Sequence, residues 1–305
     1  MFSKRVKLVL LHVLVLLIAC LAVLKFADQL YIFKNILYAR IHPVESVQSD
    51  TLIVEPHAAS LSENPWFEDT RLIYHAGGAI EGYTYTNSRE AVMESIAIGN
   101  LVLELDFSYT TDGHLVCLHL WEDAFPLDTA LNLEEFSSRL IQGRFTPMTA
   151  KDLFSIMEDY PELRVVVDTK ENDIAKFYGY LIREAEDFPG VLDRLIIQLY
   201  YPGQKAEICK LYSFSDEQFL FTAYCFGPER IQEIAQICRD ENICVITIPY
   251  QSWSAQQIDA FNRCGYVIFE HTVNRPDQAL YSLNAGIHGF YTDSLQPSDL
   301  DFSEQ

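Results

Sequence analysis

Positive charge is what this 305-residue sequence lacks most: 22 Lys and Arg stand against 43 Asp and Glu, for a formal net charge of −21. That balance opposes the attraction a nucleic acid or an anionic lipid face needs, so nucleic acid drops out as a partner. An acidic protein that handles an anionic phosphate must supply positive charge locally, and a bound divalent cation is the usual source. Paired cysteines are also missing. The seven cysteines, at 20, 117, 209, 225, 238, 244 and 264, form no CxxC and no zinc-type spacing, which argues against a thiolate metal site. Cys117 and Cys244 lie in apolar strand-like runs and read as small buried hydrophobes. No GxGxxG or P-loop points to a nucleotide fold. Apolar residues are plentiful at 49%, ample for a core, which excludes disorder of the chain as a whole.

The N-terminus carries an apolar run of 17 residues, Leu8 to Leu24, interrupted only by His12 and preceded by Lys4, Arg5 and Lys7. This is a signal-anchor pattern: a single-pass membrane protein with a cytoplasmic N-terminus and the remaining chain extracytoplasmic. A cleaved signal peptide and a lipoprotein signal ending at Cys20 are the competing readings. Apolar character continues past Cys20 through Phe26, Leu30, Phe33 and Leu37 at helical spacing, which favours the uncleaved anchor over a polar tether. Residues 1–25 therefore read as the anchor, 26–70 as a juxtamembrane helix and Pro-containing linker, and 71–305 as the folded domain.

Within that domain, short apolar runs near 72–75, 101–107, 164–168, 195–199, 218–223, 243–248, 266–271 and 288–292 alternate with amphipathic segments. Helix starts are marked by Asn87 with Glu90 three residues on, and by Thr149 with Asp152. Eight strands separated by helices predict an α/β fold, a (β/α)8 TIM barrel. Thr110-Thr111-Asp112-Gly113 is a turn, and Leu115 to Leu118 is another extended run. Together they predict a small hairpin inserted after strand 2, folded back over the barrel mouth.

Polar residues fall where such barrels keep their chemistry, at strand C-termini: His75 on the first strand, Glu104 and Asp106 on the second, Asp168 and Lys170 on the third, Gln198 on the fourth. Residues i and i+2 share a face, so three carboxylates and a lysine converge. Carboxylates this close repel unless a cation intervenes, and all-oxygen ligation suits Mg²⁺ or Ca²⁺. His75 and His119 beside them suit acid–base work.

These residues resemble the glycerophosphodiester phosphodiesterase family, relatives of the phosphatidylinositol-specific phospholipase C barrels. The resemblance runs from about Leu72 to Asp293. It rests on His75-Ala76-Gly77-Gly78, Thr86-Asn87-Ser88-Arg89-Glu90-Ala91, Glu104-Leu105-Asp106, Thr111-Asp112-Gly113, His119, Asp168-Thr169-Lys170, Gln198, Thr272-Val273-Asn274 and the run from Gly286 to Asp293.

Two departures stand out: Ala76 where the family commonly has arginine after the first histidine, and Leu120 where it has aspartate after the second. The first removes a bidentate phosphate contact, and the second a polar neighbour of His119. Asp168 also replaces the commoner glutamate. The resemblance implies a metal-dependent phosphodiesterase acting on a glycerophosphodiester or a related phospholipid. His75 and His119 would be its catalytic pair, Glu104, Asp106 and Asp168 its metal ligands, and Lys170 and Gln198 its substrate contacts; Trp121, just beyond Leu120, is read separately as packing against a substrate or the barrel rim. A lysophospholipase D or phospholipase C-like activity and a non-catalytic, membrane-anchored binding barrel are the alternatives.

Overall fold

The computed structural model describes residues 52–300, except Asp128, Lys170 and the side chain of Pro228. The predicted anchor at Leu8 to Leu24, the amphipathic stretch after it, and Lys170 lie outside the described residues. Among the described residues, no helix is long and apolar enough to cross a membrane.

The chain runs β1 (Leu72–Tyr74), α1 (Arg89–Ala97), β2 (Val102–Tyr109), β3 (Leu115–Cys117), α2 (Trp121–Ala124), α3 (Leu133–Ser137), α4 (Ala150–Asp159), β4 (Arg164–Thr169) and α5 (Ile174–Glu184). It continues β5 (Leu195–Leu199), α6 (Gln204–Ile208), β6 (Phe219–Thr222), α7 (Ile231–Asp240), β7 (Val245–Pro249), α8 (Ala255–Asn262), β8 (Val267–His271), α9 (Pro276–Asn284) and β9 (Gly289–Thr292). All strands but β3 pair in parallel, in the order β1-β9-β8-β7-β6-β5-β4-β2, and Tyr74 opposite Leu103 joins β1 to β2 and closes the sheet. This is the eight-stranded barrel expected from the apolar runs. Those runs are short and rich in Val, Ile and Phe because their strands are buried on both faces, by the interior and by the helices outside.

The inserted hairpin is present: β3 runs antiparallel to β2, with Phe107 opposite Cys117 and Gly113 at positive φ in the turn. Beyond β3, Leu118, Trp121, Phe125 and Phe136 gather into a small apolar cluster of their own. One predicted cap holds and one is corrected. Thr149 and Asp152 form a reciprocal capping box at the start of α4. The cap of α1 is Ser88 rather than Asn87, because Asn87 turns its side chain toward β2 instead.

The segment from Leu52 to Thr70, read from the sequence as part of a linker, lies against the barrel. The Trp66 indole donates to Glu217 O at 2.7 Å, and its ring stacks on Phe269 at 5.9 Å. Trp66 and Phe67 thereby cover an apolar interior layer made of Ile73, Val102, Val166, Ile196, Leu220, Val245 and Phe269. With this end of the barrel filled, the open end is the one at the strand C-termini.

Candidate active site

One step of two residues along seven of the eight barrel strands carries the inward face from that apolar layer to polar side chains. Ile73 is followed by His75, Val102 by Glu104 and then Asp106, Val166 by Asp168, Ile196 by Gln198, Leu220 by Thr222, Val245 by Thr247, and Phe269 by His271. All of these polar residues line a cavity of about 300 Å³, together with Tyr85, His119, Tyr200, Tyr224 and Tyr291.

Directly after β1 the chain turns sharply. Ala76 sits in the left-handed region (φ 50°), and the next two residues are glycines at φ 82° and 93°. A Cβ at Gly78 would come within 2.7 Å of Ser95 Oγ, so glycine is required there on both counts. The strained turn points backbone groups at the site. Ala76 N–H donates to Glu104 Oε2 at 2.8 Å, while its carbonyl accepts from Asn87 N at 3.1 Å. Asn87, also left-handed, donates through Nδ2 to Asp106 Oδ2 and accepts from Asp106 N, both at 3.0 Å. Asn87 is therefore a clamp on a candidate ligand, not a helix cap.

Glu104, Asp106 and Asp168 are all buried, and one carboxylate oxygen of each lies within 4.8 Å of the others. Burial and then the charge of Asp106 push the Glu104 carboxyl up to about 8. Such a cluster stores repulsion that a hard divalent cation relieves, and the all-oxygen donor set fits one.

His75 Nδ1 lies 2.9 Å from Asp293 Oδ1, and its Nε2 is 4.0 Å from Glu104 Oε2. Burial works against a charged imidazole, but the Asp293 hydrogen bond and the charges of Glu104 and Asp106 outweigh it and push His75 up to about 9. Asp293 is itself pinned by Asn274, whose amide donates to Oδ2 at 2.7 Å and whose Oδ1 accepts from Asp293 N at 2.7 Å.

His119 enters from the hairpin insertion, and its Nδ1 is 2.8 Å from Asp123 Oδ2. The polar neighbour missing at Leu120 is thus supplied by Asp123, four residues past the histidine on the short helix α2. The two imidazoles flank the Tyr85 ring, with centroids 4.5 and 5.1 Å away.

The structure therefore brings together His75, Glu104, Asp106, His119, Asp168 and Gln198. Trp121 is not among the residues lining this cavity; its ring stacks on Phe125 and meets Phe136 edge-on in the insertion's own cluster. Sequence reasoning assigned no role to His271, Tyr200 or Asp293. The His271 ring is 4.9 Å from that of His75, and burial and then the His75 charge hold it down at about 4. Its position at the end of β8 is the available signal, the same ground on which His75, Glu104, Asp106 and Asp168 are singled out.

No family model matches the chain, and no curated protein matches it in sequence. Solved structures do match in fold. An Oleispira antarctica phosphodiesterase, in complex with the product sn-glycerol-3-phosphate, superposes with a TM-score of 0.61 at 16% identity, over 76% of this chain and 97% of that one. Glycerophosphodiester phosphodiesterases from Thermotoga maritima (TM-score 0.58, 20% identity, 74% and 95% covered) and Parabacteroides distasonis (0.58, 15%, 74% and 93%) are similar too. The fold is that of the glycerophosphodiester phosphodiesterases, a (β/α)8 barrel.

Proposed function

We propose that this protein is a divalent-cation-dependent phosphodiester hydrolase acting on glycerophosphodiesters. The observation that carries the reading is a single cavity holding a three-carboxylate cluster and two imidazoles, each with Nδ1 at an aspartate. A histidine whose Nδ1 is held by a carboxylate presents Nε2 for proton transfer, and the aspartate steadies the imidazolium that forms.

Glu104, Asp106 and Asp168 would hold the cation, Mg²⁺ or Ca²⁺. When bound, it would supply Lewis-acid polarisation of a phosphoryl oxygen and a lowered pKa for the attacking hydroxyl. Cation binding at Glu104 and Asp106 would offset the negative charge that keeps His75 protonated; the neutral His75 then accepts the proton of that nucleophile, a substrate hydroxyl or water, at Nε2, and Asp293 stabilises the charge it gains. His119 delivers a proton to the leaving alkoxide oxygen from the opposite side of Tyr85. Each transfer contributes roughly 10²–10⁴-fold. Lys170 offsets charge on the phosphate where an arginine at 76 is lacking.

A lysophospholipid diester is a second substrate class, favoured by aromatic rings on the cavity rim: Tyr85 and Tyr224 line it while remaining 38% and 65% exposed. The hydrophobic N-terminal segment is proposed to keep the enzyme at a membrane, with the barrel extracytoplasmic.

The test is hydrolysis of glycerophosphocholine, lysophosphatidylcholine and phosphatidylinositol by the full-length protein with Mg²⁺, with Ca²⁺ and with chelator. Metal-dependent product that disappears in His75→Ala supports the enzyme and ranks its substrates. A folded, cation-binding protein that turns over none of the three overturns it in favour of a binding barrel.

A further inference from the structure

Asp168 reaches less far than the glutamate the family resemblance leads one to expect, and the residues around it carry a directional hydrogen-bond run. The Tyr200 hydroxyl lies 2.7 Å from Asp168 Oδ1. Gln198 Nε2 lies 2.8 Å from the Tyr200 oxygen, and the Tyr291 hydroxyl 3.2 Å from Gln198 Oε1. Chemistry dictates the direction. An ionised carboxylate only accepts, so Tyr200 donates its one proton to Asp168. Gln198 must then present its amide N–H to the Tyr200 oxygen, which turns Oε1 toward the Tyr291 hydroxyl. The run begins on β9 and ends on β4.

We infer that Tyr200 is a positioning residue of the cation site: its hydroxyl fixes the rotamer of the short Asp168 side chain, and Gln198 acts through Tyr200 instead of on the phosphate. The inference rests on the proposed function only in taking Asp168 as a cation ligand. Partners that orient a ligating carboxylate set affinity by roughly 10–100-fold. They do so without touching the metal.

The test is calorimetric titration of Mg²⁺ into full-length wild type, Tyr200→Phe, Asp168→Asn and the double variant, with melting curves in chelator to confirm folding. The expected result is a rise of about 10–100-fold in the Mg²⁺ Kd of Tyr200→Phe, with kcat at saturating Mg²⁺ falling far less. In the Asp168→Asn background, Tyr200→Phe adds nothing further, a coupling that a merely structural role would not produce. Gln198→Met moves the Kd in the same direction by less. An unchanged Kd in Tyr200→Phe, or losses that add in the double variant, overturns this inference and leaves the phosphodiesterase reading standing. Wild type that binds no Mg²⁺ or Ca²⁺ overturns both.

Discussion

The two layers inside the barrel come from the same strands, two residues apart, and have opposite character. The lower layer, from Ile73 to Phe269 under Trp66 and Phe67, is apolar and serves stability. The upper layer, from His75 to His271, gathers three buried carboxylates and two imidazoles whose protonation is displaced from the ordinary range in opposite directions. Like charges brought together in a poorly solvated place oppose folding unless a ligand offsets them. The difference teaches that stability and chemistry are separated along each strand by about 7 Å, the rise of two residues. Each layer should therefore be breakable without breaking the other.

The largest effect is expected from Glu104→Gln, which should abolish metal-dependent turnover. In chelator its melting temperature should equal or exceed that of wild type, because one member of the repelling cluster is gone. A variant that retains full activity would sink the ligand assignment. Next comes His75→Ala, with an expected loss of roughly 10²–10⁴-fold in kcat, measured with saturating cation. Below it stands the opposite cut: Leu220→Ala in the lower layer should lower unfolding free energy by about 2–5 kcal/mol in a denaturant titration, with little change in kcat of the folded protein. A comparable loss of kcat there would show that the layers are coupled.

A pH series separates the layers further. Glu104 and His75 both hold protons more tightly folded than unfolded, up to about 8 and about 9. These two groups therefore contribute most to the stability of the chelated protein where both are protonated, and that contribution is lost as pH rises through roughly 4.5 to 8 for the acid and 6.5 to 9 for the histidine. Cation binding displaces those protons, so the bound protein should show a flatter profile. Melting curves at pH 5, 7 and 9 with and without Mg²⁺ check both; a chelated protein that stabilises toward pH 9 contradicts the scheme. The smallest effect is expected at Asp123, whose side chain is 42% exposed. Asp123→Asn should cost roughly 1 kcal/mol of transition-state stabilisation, about a fivefold drop in kcat.

Much of this was legible in the primary structure, because the relevant periods are local. Short apolar runs between amphipathic segments mark the barrel strands, and the two-residue period of a strand puts Glu104 beside Asp106. A capping box needs only four residues, so Thr149 and Asp152 were readable as well. Asn87 misled because asparagine serves equally as a cap and as a left-handed clamp, and only the position of Asp106 decides between them. Leu120 read as a loss, since sequence adjacency says nothing of what a helical turn returns to His119. Asp123 does so at i+4.

The amino-acid sequence by itself determined the closed α/β architecture, the inserted hairpin and the set of strand-end residues that face inward, since these follow from the eight apolar runs, the turns between them and the two-residue period of a strand. Only the tertiary structure decided which partners tune those residues. Asp293 lies 218 positions from His75, Asn87 19 from Asp106, and Tyr200 32 from Asp168. Hydrogen bonds act over about 3 Å, and contacts of that range between distant parts of a chain exist only once the barrel has closed.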